Sequence, residues 1–321
     1  MSLRTPICDL FGIAHPVFLA GMGGVAFADV CAAVSEAGGF GTLGLVGFPP
    51  ERIRKEMRAV RARTNKPFGV DLLAALPDQI HSSIEVIIEE GAAAFIAGLG
   101  VPEPVIERCH RAGVKVMAVC GKVSHAVHAE MAGCDAVVAQ GTEAGGHTGQ
   151  VAAMALIPQT VDAVKIPVLG AGSIVDGRGL AAALALGAQG AWIGTRFIAS
   201  HEAHAASGFK RRLVDAGSAD TVVTRCYSGK PMRVLRNTYV ENWEKRTSEI
   251  RPFPLQFVES GRQGVLSYGE DPVDPARTCM PAGQGVGGID EILPVAEIMR
   301  RLVEGAHGEI KRLAALRSDL G

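Results

Sequence analysis

"ALGAQGAWIGT", residues 185–195, decides how the chain is to be read. An alanine-rich run stops at Gly187, and an apolar run, Ala191 to Ile193, begins almost at once. A glycine in that place supplies the left-handed backbone that closes a helix. The apolar residues behind it suit a strand buried on both faces. The phrase is therefore a helix-to-strand joint, and it recurs in "SEAGGFGTLGL" (35–45), "EEGAAAFIAGL" (89–99), "RAGVKVMAVCG" (111–121) and "MAGCDAVVAQG" (131–141). Three apolar runs without that cap, "HPVFLAG" (15–21), "KPFGVDLL" (66–73) and "KIPVLGAGS" (165–173), bring the strands to eight. Amphipathic stretches lie between them, such as "ERIRKEMRAVRAR" (51–63), in which Ile53, Met57 and Val60 fall at helical spacing. Eight strands alternating with helices predict an α/β fold, the (β/α)8 TIM barrel. A doubly wound open sheet is the competing architecture, because periodicity does not report closure.

After "GTRFIAS" (194–200) the texture changes, and "SGKPMRVLRNTYVENWEKR" and "RPFPLQFVESGRQGVLSYGEDPVDP" are rich in Arg, Pro and aromatics. Residues 1–217 are read as the barrel, 218–285 as a smaller cap or substrate region, and 286–321 as a C-terminal helix returning to the barrel. The cap region contains Tyr227, Tyr239, Tyr268 and Trp243, which suits a wall over a ligand pocket; a plain surface excursion is the alternative. The closing helix is expected over 288–316, with Ile289, Ile292, Val295, Ile298 and Leu302 on its apolar face.

A formal net charge of −1, without a basic run interleaved with aromatics, excludes nucleic acid as an expected partner. No apolar run approaches the ~18 residues of a membrane span, and the first twenty residues lack a signal-peptide core. No membrane partner is expected, and the expected location is cytoplasmic. Cys8, Cys31, Cys109, Cys120, Cys134, Cys226 and Cys279 are scattered and never form a CxxC pair, so they read as reduced packing residues. His125 and His128 lie three apart on a helix, but no third metal ligand accompanies them and they read as an exposed face.

Glycines gather where barrel strands end: "LAGMGG" (19–24), "QGTEAGGH" (140–147), "GAGSIVDGRG" (170–179) and "WIGTRF" (192–197). The last two close the seventh and eighth strands, where such barrels bind phosphate on backbone N–H groups, and Thr195 adds a hydroxyl. "AQGTEAGGHTG" (139–149) sets four glycines beside a histidine. Fixing each glycine costs about 0.5–1 kcal/mol of extra conformational entropy, so something must approach this backbone closely. Glu143 reads as a hydrogen-bond acceptor within the loop rather than as a second base.

"AQGTEAGGHTG", with "IPVLGAGSIVDGRGLAAALALGAQGAWIGTRF" (166–197) and "PAGQGVGG" (281–288), resembles the nitronate monooxygenase family, formerly the 2-nitropropane dioxygenases. The resemblance implies an FMN-bearing barrel with a small second domain. It implies that the isoalloxazine lies against Gly21, Met22, Gly23 and Asp71, and that Lys122 and Gln140 reach the ring or ribityl chain. Gly145 and Gly146 would line the ring edge, and Gly172, Ser173, Gly194 and Thr195 would hold the phosphate. Relatives commonly carry a second glycine in place of Ser173 and often Asn in place of Asp71, and an ionised carboxylate cannot donate to the ring. His147 is implied as the catalytic base or nitronate-binding group, since imidazole titrates near neutral pH. The implied activity is FMN-dependent oxidation of alkyl nitronates or nitroalkanes by O2 to a carbonyl compound and nitrite, with a homodimer compatible. The alternative is an NAD(P)H-dependent flavin reductase acting on quinones or enoyl thioesters.

Overall fold

The computed structural model describes residues 3–267, 269 and 271–316. Its strands in chain order are β1 (Val17–Leu19), β2 (Gly41–Gly44), β3 (Phe68–Leu73), β4 (Ala94–Gly98), β5 (Lys115–Cys120), β6 (Ala136–Gln140), β7 (Gly146–His147), β8 (Val168–Ala171), β9 (Gly190–Ile193), β10 (Thr221–Thr224) and β11 (Met232–Leu235). Eight of them form one parallel sheet in the order β1-β9-β8-β6-β5-β4-β3-β2. The sheet closes on itself: Leu19 N donates to the Phe40 carbonyl and Phe40 N to the Val17 carbonyl, both at 2.9 Å. Closure excludes the open sheet. The joint glycines behave as their sequence implied, with positive φ at Gly38, Gly91, Gly113, Gly133 and Gly187 (+69° to +99°).

Two apolar cores follow from strands that are buried on both faces. One lies between the strands and the surrounding helices. The other fills the barrel, where Phe18, Phe40, Ile96, Met117, Val138 and Leu169 meet Ile7, Cys8 and Phe11 of a short helix, Pro6–Phe11, that plugs the N-terminal end. The Phe11, Phe18 and Phe40 rings sit 5.1–5.2 Å apart, so this end is solid. The sequence reading did not anticipate this helix, since six residues carry too little periodicity to register. Among the described residues no helix is long and apolar enough to cross a membrane.

The closing helix spans Val295–Ala315 rather than starting at 288. Pro294 forces the residue before it out of helical backbone, so Ile289 and Ile292 lie in the approach, after a 3-10 turn at Gln284–Gly288. The helix packs on Gly177–Ala185, crossing so closely that a Cβ on Gly177 would stand 2.3 Å from the backbone of Gly305 and Ala306. Between β9 and this helix the chain makes an excursion with its own core of Cys226, Tyr227, Met232, Val234, Val240, Trp243 and Cys279. Tyr227 stacks on Tyr239 and its hydroxyl donates to the Arg277 carbonyl at 3.0 Å. Tyr268, expected in the cap wall, lies outside the described residues. β10 and β11 pair antiparallel, and β11 pairs antiparallel with β7, which tethers the excursion to the glycine-rich loop.

Candidate active site

The strand C-termini open into one cavity of about 1200 Å³. Gly21, Met22, Gly23, Asp71, Lys122, Gln140, Gly145, Gly146, His147, Gly172, Ser173, Gly194 and Thr195 all line it. The structure thus brings the whole expected set together, from six different strand ends.

Much of the wall is backbone packed against backbone. A Cβ on Gly145 would stand 2.8 Å from the Ala282 and Gly283 main chain, and one on Gly283 would stand 2.8 Å from the Glu143 carbonyl. The "PAGQG" and "EAGGH" segments therefore lie directly on one another, joined by Gln284 N donating to the Glu143 carbonyl at 2.9 Å. The Glu143 carboxylate accepts from Ala153 N at 3.1 Å, at the start of the helix Ala153–Ala163, which is the structural role its setting suggested. Thr195 Oγ1 accepts from Gly283 N at 3.0 Å, so it too helps to seat this loop. Gly146 has φ +74° with nothing within 4 Å of where a Cβ would stand, leaving a bare face toward the cavity. Arg233 is buried beneath the loop and donates to the Thr142 carbonyl at 3.0 Å.

His147 sits in β7, opposite Met232 of β11. Its carbonyl accepts from Gln140 Nε2 at 2.6 Å. Its Nε2 lies 2.8 Å from Ser228 Oγ, which stands 3.2 Å from both the carbonyl and the backbone nitrogen of Lys230. With the serine hydroxyl turned to Nε2, the neutral ring carries its single proton on Nδ1, which is left to donate. Burial, and then the nearby Lys230 ammonium, lower the imidazole pKa to about 4, so the ring is neutral throughout the physiological range.

Directly after β8, Gly172 has φ +121° and Ser173 φ +52°. Among the described residues none accepts a hydrogen bond from the backbone N–H of Gly172, Ser173, Gly194 or Thr195. A left-handed residue other than glycine bears about 1–2 kcal/mol of strain, partly offset by the entropy that glycine would lose. Ser173→Gly is therefore expected to stabilise the cofactor-free protein by about 0.5–1 kcal/mol, measured by urea unfolding.

Asp71 stands on β3, 7% exposed, with Oδ1 lacking any hydrogen-bond partner. Burial pushes its carboxyl well above the usual carboxylate range. Gly21 abuts it, where a Cβ would stand 2.2 Å from the Asp71 Cβ. Cys120 also lines the cavity, its thiol pushed up to about 12 by burial.

Several lining residues escaped the sequence reading. Ser228 and Lys230 come from the excursion, where no motif marked them. Phe27, Phe48, Arg52 and His204 form one rim, with the Arg52 guanidinium 5.3 Å from the Phe27 ring centroid. Met232, Phe253 and Phe257 extend the apolar wall. His125 and His128 reach the margin, where His128 Nε2 meets Glu103 at 2.8 Å. Among the described residues no three His, Cys, Asp or Glu side chains gather as a metal site.

A closed parallel barrel whose active-site face is built from these glycine loops, with a histidine clamped by a small antiparallel sheet, defines a barrel oxidoreductase. The family model for nitronate monooxygenase matches residues 4–305, and the chain belongs to that family, whose members are typically flavin-dependent. It is 40% identical to the (3aS,4S,5R,7aS)-5-hydroxy-7a-methyl-1-oxo-octahydro-1H-indene-4-carboxyl-CoA dehydrogenase of Mycobacterium tuberculosis, over 82% of this chain and 74% of that protein. It is 32% identical to a probable nitronate monooxygenase of Staphylococcus saprophyticus, over 80% of this chain and 85% of that one. The fold matches FabK from Thermotoga maritima with a TM-score of 0.89 and 37% identity, over 98% of this chain and 99% of that one.

Proposed function

We propose that the protein is an FMN-dependent oxidoreductase that oxidises alkyl nitronates with O2 to a carbonyl compound and nitrite. The observation that carries this reading is His147: a neutral imidazole beside the Lys230 ammonium, at the edge of a glycine-built cavity. FMN fits the residues present. The bare face at Gly146 and the glycine wall from Gly21 to Gly23 suit a flat ring, and the unpaired N–H groups at 172–173 and 194–195 suit a terminal phosphate. Lys122 and Gln140 line the same cavity. When bound, FMN supplies the electron acceptor.

The protein's part is to hold the substrate anion. An imidazole N–H donates to a nitronate oxygen, and Lys230 adds a favourable positive potential. The excursion and the apolar wall restrict water, which strengthens both interactions. A group with a pKa of about 4 is a weak base, far from the operating pH at which proton abstraction is most efficient. His147 therefore suits a nitronate that arrives already deprotonated better than it suits a neutral nitroalkane.

Lys230 gives this a pH signature. Its charge depresses the histidine, so Lys230→Met is expected to move the titration of His147 upward from about 4, followed by NMR of the ring protons. An unmoved titration would detach that depression from Lys230.

A second reading is favoured by the size of the cavity and its outer wall of Leu73, Leu76, Val101, Met232, Phe253 and Phe257, which are ample for more than a small nitronate. An acyl or enoyl thioester would use that length, with NAD(P)H as the reductant, and the 40% identical relative is named for a CoA substrate. Anaerobic mixing with a nitronate, NADH, NADPH or an acyl-CoA separates the two. Bleaching of the bound flavin by nitronate supports the first, whereas bleaching by NAD(P)H alone, with reoxidation by an enoyl thioester, overturns it. Mass analysis of the released cofactor tests FMN against FAD.

A further inference from the structure

We propose that Asp71 keeps its proton at neutral pH and acts as a carboxylic acid toward the cofactor ring, donating a hydrogen bond to it and tying cofactor retention to pH. This rests on the FMN reading above. Asp71 faces the cavity from β3, pinned by its own main chain, whose carbonyl accepts from Leu45 N at 3.2 Å. Oδ1 is buried without a partner, and the carboxyl presses against the Gly21 backbone.

A carboxylate removed from water needs a counter-charge, a cation or hydrogen bonds; otherwise it takes up a proton. The elements packed against Asp71 are the 21–24 loop, β2 and β4, reading "GMGG", "GTLG" and "AFIAG", and none holds a titratable side chain. Lys122, Lys230 and His147 face the same cavity, yet none pairs with it, and burial is the cause of its raised affinity for protons. A metal is not gathered there among the described residues. Protonation remains, and it changes what the residue can do: a carboxylic acid has an O–H donor, which a carboxylate lacks. Asp71 then offers the ring the donor that an amide would offer from the same position.

The sign of the linkage is fixed. A folded pKa raised above the unfolded one stabilises the protein below the unfolded value, and that contribution is lost as pH rises toward the folded pKa. The cofactor complex, which needs the proton, weakens in the same direction. FMN dissociation constants of the wild type and Asp71→Asn, measured from pH 5 to 9, test the proposal together with infrared spectra and melting curves of the FMN-free proteins. In the wild type, affinity is expected to fall about tenfold per pH unit once Asp71 begins to ionise. Asp71→Asn should bind with a flat profile, within a few-fold of the low-pH wild type. The FMN-free wild type should show a carboxylic-acid carbonyl band at pH 7 that the variant lacks, and the variant should melt higher by a margin that widens with pH. Parallel pH profiles, or no band lost, would overturn the proposal. If neither protein binds FMN, the cofactor reading fails and the donor role with it, while the band and melting curves still decide whether the proton is there. Should Asn not fit, Asp71→Ser supplies a smaller neutral donor for the same comparison.

Discussion

Replacing His147 with alanine is expected to lower kcat/KM for a preformed nitronate by about 10²- to 10³-fold, the span seen when one donor to a developing or bound oxyanion is removed. The FMN content of the purified variant should be unchanged, because the proposed cradle is main chain at Gly21–Gly23, Gly145–Gly146, Gly172–Ser173 and Gly194–Thr195. The histidine ring is held by Ser228 at 2.8 Å, and its main chain by the β7–β11 pairing, so truncating the ring leaves the loop in place. The same variant assayed on the neutral nitroalkane separates donor from base. A weakly basic imidazole implies losses of similar size on both substrates. A loss far greater on the nitroalkane would mean that His147 abstracts the α-proton in spite of its depressed pKa. Full activity on both, with FMN retained, would remove His147 from the chemistry.

Gly21→Ala is expected to damage the fold itself, by about 3 kcal/mol, the upper end of the usual overpacking range. The new methyl would stand 2.2 Å from both Cβ and Oδ2 of Asp71. Rotating the carboxyl relieves only the second contact, so β1's exit or β3 must move. The cavity floor lies between them, and FMN retention should fail together with the melting temperature. Adding Asp71→Gly removes the obstructing Cβ, and the double variant should recover most of the lost stability, a coupling that unfolding of the four proteins of the cycle measures. Additive losses would place the strain elsewhere.

The sequence and the structure agree most closely where local chemistry decides conformation. A left-handed glycine between an alanine-rich helix and an apolar strand is a local instruction, and Gly187 and its four counterparts carry it out. Barrel closure is a different matter. It depends on Leu19 and Phe40 meeting across the fold, and nothing in either segment encodes the partner. The glycine clusters were legible as a site because one fold end collects every strand C-terminus, so a strand boundary also specifies a place in the cavity. Ser228 and Lys230 were not, since they become neighbours of His147 only through the antiparallel pairing of β7 with β11, two residues long on one side. Helix 288–316 was misplaced at its start for a local reason that was visible: Pro294 outweighs the apolar spacing around it.

The pairing of Met232 with His147 and of Arg233 with Gly146 makes the histidine joint property of two modules. A chimera that exchanged the excursion alone would re-aim the imidazole, change its protonation through the residue at 230, and leave the glycine cradle intact. Segments 141–149 and 221–235 form one transplantable unit, and substrate preference within this barrel can diverge by replacing that unit while the scaffold beneath it stays the same.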